Sequence, residues 1–190
     1  MALREVAGRA YREALPALAV SAAGGLIAGL VLGGMRTELR IVPGLLVLVP
    51  ALLATRGNVY GSFGARLATG LHQGIIEPRL DLGDTRVRSA MAAALANGLI
   101  ASAFAATAAY AALVGLGFRV APLGTLIAIA LVAGILSGLA LIVAVVTVVF
   151  IGYRRGGNPD TLVGPIVTTT GDVFGIAFLL LAVRIVVGGG

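Results

Sequence analysis

The chain alternates long apolar segments with short charged ones. Apolar or small residues dominate five segments, at residues 16–35, 42–76, 89–115, 121–151 and 162–187. A helix needs roughly 20 such residues to cross the hydrocarbon core of a bilayer. The pattern therefore predicts an all-α integral membrane protein with five transmembrane helices, in one domain over residues 1–190.

The second segment is too long for one straight span. A continuous helix over residues 42–76 would be about 53 Å long, against a hydrocarbon core of about 30 Å. Pro50 lacks a backbone donor and Gly61 permits unwinding, so we predict a break near residues 50–61. Many transporters build their ion sites at such breaks. The alternative is a proline-kinked helix in which Asn58 bonds to a neighbouring helix.

The arginines predict how the spans are oriented. With five spans the termini lie on opposite sides of the membrane. If the N-terminus is inside, eight arginines lie inside (4, 9, 12, 79, 86, 88, 154 and 155) and four lie outside (36, 40, 119 and 184). The positive-inside rule then favours a cytoplasmic N-terminus and an outer C-terminus. The first segment has no clear cleavage site, so we expect a retained helix in a multi-pass protein of the plasma membrane.

Composition supports this class and excludes others. Of 190 residues, 59% are hydrophobic and 12% are charged, about half the charged fraction of a soluble domain. The net charge of +6 comes from arginine alone, and twelve of the fourteen arginines lie between the apolar segments or near their ends, where arginine interacts with lipid headgroups. We therefore expect lipid rather than nucleic acid as a partner. No cysteine and one histidine, His72, exclude thiolate sites and a histidine cluster within one chain.

One carboxylate lies inside an apolar segment. Asp172 is about ten residues into the fifth segment, which corresponds to a depth of about 15 Å in a helix. A carboxylate near the bilayer centre costs roughly 2.5–3.5 kcal/mol on insertion scales. Intramembrane acids are therefore expected to be functional, and we predict that Asp172 holds a cation during its transport across the membrane.

The second and fifth segments carry similar motifs. Pro50 is followed by Gly57-Asn58, and Pro165 is followed by Gly171-Asp172, with threonines just upstream of each glycine. Carboxylate, amide and hydroxyl oxygens are the ligands that hard cations prefer. The similarity suggests two halves of one oxygen-lined ion path.

At these motifs the chain resembles the transmembrane module of the MgtE and solute-carrier-41 families, which are divalent-cation, chiefly magnesium, channels and transporters. The resemblance covers residues 50–74 and 158–180 and the order of all five spans. Residues 50–74 are more similar to the solute-carrier branch. The bacterial G-N-x-G-x-Q pattern is interrupted by an extra residue, and Phe63 stands near its glutamine, so no glutamine contact is implied.

The resemblance implies an α-helical homodimer with a pore at or near the subunit interface, lined by the second and fifth transmembrane helices. It also implies that the acid at position 172 is the central cation ligand. Bacterial members carry cytoplasmic N-terminal and paired CBS domains that sense magnesium. We expect this chain to consist of the transmembrane module without them, so gating by those domains is not implied.

Mg²⁺ holds its water shell tightly and usually contacts one or two carboxylates together with waters. Two Asp172 side chains, one from each subunit, would bind a hydrated ion as transported substrate, and we predict no resident cofactor. Oxygen atoms of four further residues are candidate contributors to the site: Asn58, Ser62, Thr169 and the Gly171 carbonyl.

Two arginines in the second segment leave an alternative open. Arg56 beside an ion path would repel cations, so we expect it to face protein, headgroups or a carboxylate, or to lie at a pore mouth. Asp172 would then be structural if it formed a salt bridge with Arg56 or Arg66.

Two other functions also remain open. One is an intramembrane lipid-modifying enzyme, but metal-assisted phosphoryl chemistry needs several clustered acids and Asp172 alone is deeply placed. The other is a non-transporting membrane scaffold or assembly subunit.

Overall fold

The computed structural model describes residues 3–79, 83–156 and 159–188, and it describes the side chains of all of these except residues 3–10, 12–14, 16–17 and 159–162. These ranges form six helices and no strand. The helices are α1 (Leu3–Gly34), α2 (Arg36–Ile41), α3 (Leu45–His72), α4 (Thr85–Gly115), α5 (Leu123–Arg154) and α6 (Pro159–Gly188). The predicted all-α fold is confirmed.

Four helices are long and apolar enough to cross a membrane: α3, α4, α5 and the Val163–Gly188 part of α6. The apolar part of α1, Leu18–Gly34, is shorter. The chain is therefore a multi-pass helical membrane protein. The second and fifth predicted spans correspond to α3 and α6, and the total of five spans stays a prediction.

The predicted break between residues 50 and 61 is wrong, because α3 is helical throughout Leu45–His72. Gly44 has φ 94° and serves as the N-cap, so Pro50 is the sixth residue of the helix and lies beyond its first turn. Its missing N–H removes one intrahelical hydrogen bond, to the Leu46 carbonyl. The buried side chains of Leu48, Val49 and Leu52 around it hold the helix by tertiary packing, so the helix continues through the proline. Within the predicted break, the Thr55 hydroxyl donates a hydrogen bond to the Leu52 carbonyl of the same helix (3.0 Å).

Other helix boundaries differ from the predicted spans by a few residues at most, apart from α1. This helix begins at Leu3, so the predicted first span, residues 16–35, continues a helix that starts before it. α4 begins at Thr85 rather than residue 89 because the Asp84 carboxylate accepts a hydrogen bond from the Arg86 N–H (2.8 Å) and caps it.

α5 lies at the centre of the fold. Its buried apolar side chains extend from Leu126 to Phe150, and it packs against α3, α4 and α6. α1 packs against α6, where Gly24 lies against the Thr169 side chain. Gly25, Gly29 and Gly33 of α1 have no neighbour within 4 Å of a Cβ placed there.

Tyr60 packs at the point where α3, α4 and α5 meet. This α3 side chain is 1% exposed and lies against Gly98 of α4 and Gly138 of α5. A Cβ at residue 98 would be 2.7 Å from the Tyr60 hydroxyl oxygen, so glycine is needed for the close approach. The hydroxyl has no hydrogen-bond partner among the described residues.

Candidate cation site

Asp172 lies at the end of an open stripe on α6. Gly164 and Thr168 are exposed and Asp172 is half-buried, and the spacing of four residues places them on one side of the helix. Asp172 is the tenth residue of the apolar stretch that begins at Val163, about 14 Å along the helix axis. The carboxylate therefore lies deep along an apolar helix and is reached from the stripe.

Asp172 forms no salt bridge with a described residue. The alternative in which Arg56 or Arg66 neutralises it is therefore not what the structure contains, since no nitrogen of either arginine lies within 4 Å of its carboxylate oxygens. A carboxylate without a counter-ion in an apolar helix is costly, which favours a role in binding.

Two other predicted ligands lie beside Asp172 on α6. The Thr169 hydroxyl is hydrogen-bonded to the Pro165 carbonyl (2.8 Å) and to the Ser21 hydroxyl of α1 (3.2 Å). Gly171 is buried, with Leu141 of α5 its nearest neighbour, 3.9 Å from a Cβ placed there. Thr169 is therefore hydrogen-bonded to α1, and Gly171 lies where α6 packs against α5.

Asn58 and Ser62 lie on a different surface. Both are exposed and line a groove of about 320 Å³ between α3 and α4, together with Arg66 and Asn97. No α6 residue lines this groove. Within one protomer the structure therefore separates Asn58 and Ser62 from the three predicted ligands on α6.

Arg56 faces the protein interior, one of the four places predicted for it. It is 3% exposed, and its Nε and Nη2 atoms have no hydrogen-bond partner among the described residues. Its Nη1 atom lies against α6 at Gly175, 2.8 Å from the position of a Cβ there. Because residues 56 and 58 are about 200° apart around a helix, Arg56 and Asn58 point in opposite directions.

The other acids whose side chains the structure describes have partners. Glu77 pairs with Arg79, Asp84 caps α4, and Glu38 of α2 accepts from Nε of Arg184 on α6 (3.1 Å). The backbone N–H of Glu38 and then the Arg184 side chain lower the pKa of the Glu38 carboxyl. Among the acids whose side chains the structure describes, Asp172 is therefore the carboxylate without a partner.

The described residues contain no group of three or more histidine, cysteine, aspartate or glutamate side chains that would hold a metal ion. A cation at Asp172 would therefore need waters, hydroxyl or carbonyl oxygens, or a second subunit to complete its coordination. That arrangement fits a weak, transient site better than a permanent metal centre.

Two residues beside the candidate site were not predicted from the sequence. Gly175 provides the space for Arg56, and Tyr60 lies one helical turn after Arg56 on α3. The signal available for Gly175 was its position three residues after Asp172, on a neighbouring part of the same helix surface.

The fold and this site define a class: multi-pass helical membrane proteins with a deeply placed, unpaired carboxylate. The MgtE family model, described as a divalent cation transporter, matches residues 49–182. This range includes all of the α3 and α6 motifs, and the chain belongs to the MgtE family of divalent cation transporters.

The chain is also similar to solute carrier family 41 member 3 of Rattus norvegicus, with 28% identity over 178 residues. The match covers 88% of this chain and 37% of that protein, so the chain spans less than half the length of this relative. No solved structure matches the chain. The predicted resemblance to the MgtE and solute-carrier-41 families is confirmed.

Proposed function

We infer that this protein transports a divalent cation, chiefly Mg²⁺, along a path lined by α3 and α6, with Asp172 as its central ligand. The observation that carries this proposal is the unpaired carboxylate at the end of the open α6 stripe, in a member of a divalent cation transporter family. Mg²⁺ binds such sites through one or two carboxylates and retained waters. The membrane potential would supply about 4.6 kcal/mol per 100 mV for a divalent ion.

The path is completed in a homodimer. Two uncovered polar surfaces support this: Asn58 and Ser62 on α3, and Thr168 with Asp172 on α6. A second copy of the chain covering them would bring two Asp172 carboxylates together. With no cation bound, two close carboxylates repel each other, so the cation stabilises the pair. Light scattering of the purified protein tests for the dimer.

The proposed topology has five spans, a cytoplasmic N-terminus and an outer C-terminus, in the plasma membrane. The arginine distribution supports it. Because the chain has no cysteine, a single cysteine introduced at either end can be labelled from one side of intact cells with a membrane-impermeant maleimide. The proposal requires labelling from outside at the C-terminus only.

Transport is tested in proteoliposomes that contain a fluorescent Mg²⁺ indicator. We expect Mg²⁺ entry with the wild type, loss of entry with Asp172→Asn, and unchanged entry with Glu77→Gln, the same chemical change at an exposed ion pair. Unchanged entry with Asp172→Asn, in a protein of unchanged oligomeric state, would exclude the ligand role. Absence of any divalent flux with the wild type would favour a scaffold.

A further inference from the structure

The structure contains a buried arginine and a deep aspartate that both lack partners. Arg56 is 3% exposed with two unpartnered nitrogens, and Asp172 has no ion pair among the described residues. A buried charge without a counter-ion is strongly unfavourable, and so is a carboxylate in an apolar helix. The two charges are opposite, so each residue could neutralise the other.

The two side chains are close enough to meet. Nη1 of Arg56 lies 2.8 Å from the Cβ position at Gly175. Cβ atoms three residues apart in a helix are about 5–6 Å apart, so Nη1 lies within about 9 Å of the Asp172 Cβ. Rotation about the terminal bonds of a long arginine side chain spans much of such a distance, with no movement of either helix.

Gly175 leaves room on α6 for the Arg56 guanidinium. A Cβ at this residue would be 2.8 Å from Nη1 of Arg56 and 2.9 Å from Cδ2 of Leu53. Glycine therefore provides the space that the guanidinium occupies, one turn beyond Asp172. The stripe of Gly164, Thr168 and Asp172 ends where Arg56 and Leu53 cover α6.

We propose that Arg56 is a tethered competitor for the transported cation. This inference rests on the proposed function of Asp172. The guanidinium exchanges between the space at Gly175, where this structure shows it, and a pair with Asp172. A divalent cation that arrives along the stripe binds Asp172 and confines the guanidinium to Gly175. Arg56 is thus a positioning residue that sets how tightly Asp172 binds the ion.

Two substitutions test this in opposite directions. Arg56→Gln removes the competitor, so the cation should bind more tightly, by about tenfold if the pair is formed nine-tenths of the time without the ion. Gly175→Ala fills the space for the guanidinium and displaces it toward Asp172, so the cation should bind more weakly. The atoms that the new methyl meets are the ends of flexible side chains, so the fold should tolerate it.

The double variant tests whether Gly175→Ala acts through the guanidinium. If the new methyl disturbs the site directly, its effect on the affinity persists without Arg56. If the methyl displaces the guanidinium toward Asp172, the effect depends on Arg56. In the Arg56→Gln background, Gly175→Ala should therefore have no effect on the affinity.

The measurement is a Mn²⁺ titration followed by electron paramagnetic resonance, on the full chain in lipid nanodiscs, with Arg119→Gln as a charge-matched control at an exposed loop position. Tighter binding with Arg56→Gln, weaker binding with Gly175→Ala and loss of the latter effect in the double variant support the proposal. Unchanged affinity with Arg56→Gln, or a Gly175→Ala effect that persists in the double variant, overturns it.

Different outcomes test the ligand role of Asp172 and the competitor role of Arg56. If the wild type binds no Mn²⁺, or if Asp172→Asn binds it as the wild type does, Asp172 is not the ligand. Both the proposed function and the role of Arg56 are then excluded. If Asp172→Asn abolishes binding while the Arg56 and Gly175 variants bind as the wild type, only the competitor role is excluded.

Discussion

α3 and α6 carry similar motifs but bury different polar residues. Each contains an internal proline followed by a glycine and an oxygen-bearing side chain, and each is a continuous helix. In α3 the oxygen-bearing residue, Asn58, is exposed and the charged residue beside it, Arg56, is buried. In α6 the glycine is buried and Asp172 is half-buried. Similar local sequences therefore acquire different roles from the helices packed against them.

The buried side of α3 is mainly a packing surface, and the largest expected effect on stability lies there. Tyr60→Ala would leave a cavity between Gly98 and Gly138 and should lower the free energy of unfolding by about 3–5 kcal/mol. Tyr60→Phe should cost little, because the hydroxyl it removes has no partner among the described residues. Thermal unfolding in detergent measures both. A large loss with Tyr60→Phe would show that the hydroxyl is bonded in the membrane.

The internal prolines give the next largest effect. Proline in a helix interior costs up to about 3 kcal/mol relative to alanine. Pro165→Ala and Pro50→Ala should each stabilise the protein by about 1–3 kcal/mol, because the two prolines lie six and five residues after the first residue of their helices. The measurement is the thermal transition of each variant. Destabilisation by Pro50→Ala but not by Pro165→Ala would contradict this and would mean that α3, unlike α6, needs the proline geometry.

The exposed side of α3 should contribute less to ion binding than Asp172. An amide or hydroxyl that contacts a hydrated ion acts through water, so Asn58→Ala or Ser62→Ala should weaken Mg²⁺ binding by about threefold to tenfold, below the 10–100-fold typical of well-fixed outer ligands. Isothermal titration calorimetry with Mg²⁺ checks this. An effect as large as that of Asp172→Asn would place both helices equally in the site.

The smallest effect belongs to the far end of α6, where Arg184 pairs with Glu38. Because the pKa of Glu38 is lowered, its stabilisation should be complete above the ordinary glutamate pKa and lost as the pH falls through the lowered value. Glu38→Gln should therefore slightly lower the thermal transition at neutral pH and have no effect in strong acid. A difference that grows as the pH falls would contradict this assignment.

The sequence was sufficient for the all-α fold class and for the position of Asp172 deep in an apolar helix, because both depend on hydropathy. It did not reveal the continuous helix through Pro50, because that depends on the tertiary packing of Leu48, Val49 and Leu52 around the proline. The orientation of the Arg56 side chain also could not be predicted from the neighbouring sequence. It depends on Gly175, which is distant in sequence and meets Arg56 only after α3 packs on α6.

The most direct test of the role proposed for Asp172 is to locate a bound cation. Crystals of the protein soaked in Mn²⁺, measured at the manganese absorption edge, would show the ion as an anomalous scattering peak. We expect one peak between the Asp172 carboxylates of two subunits, and no peak there in the Asp172→Asn variant. A well-occupied peak elsewhere along the membrane-spanning helices, with none near Asp172, would contradict the account.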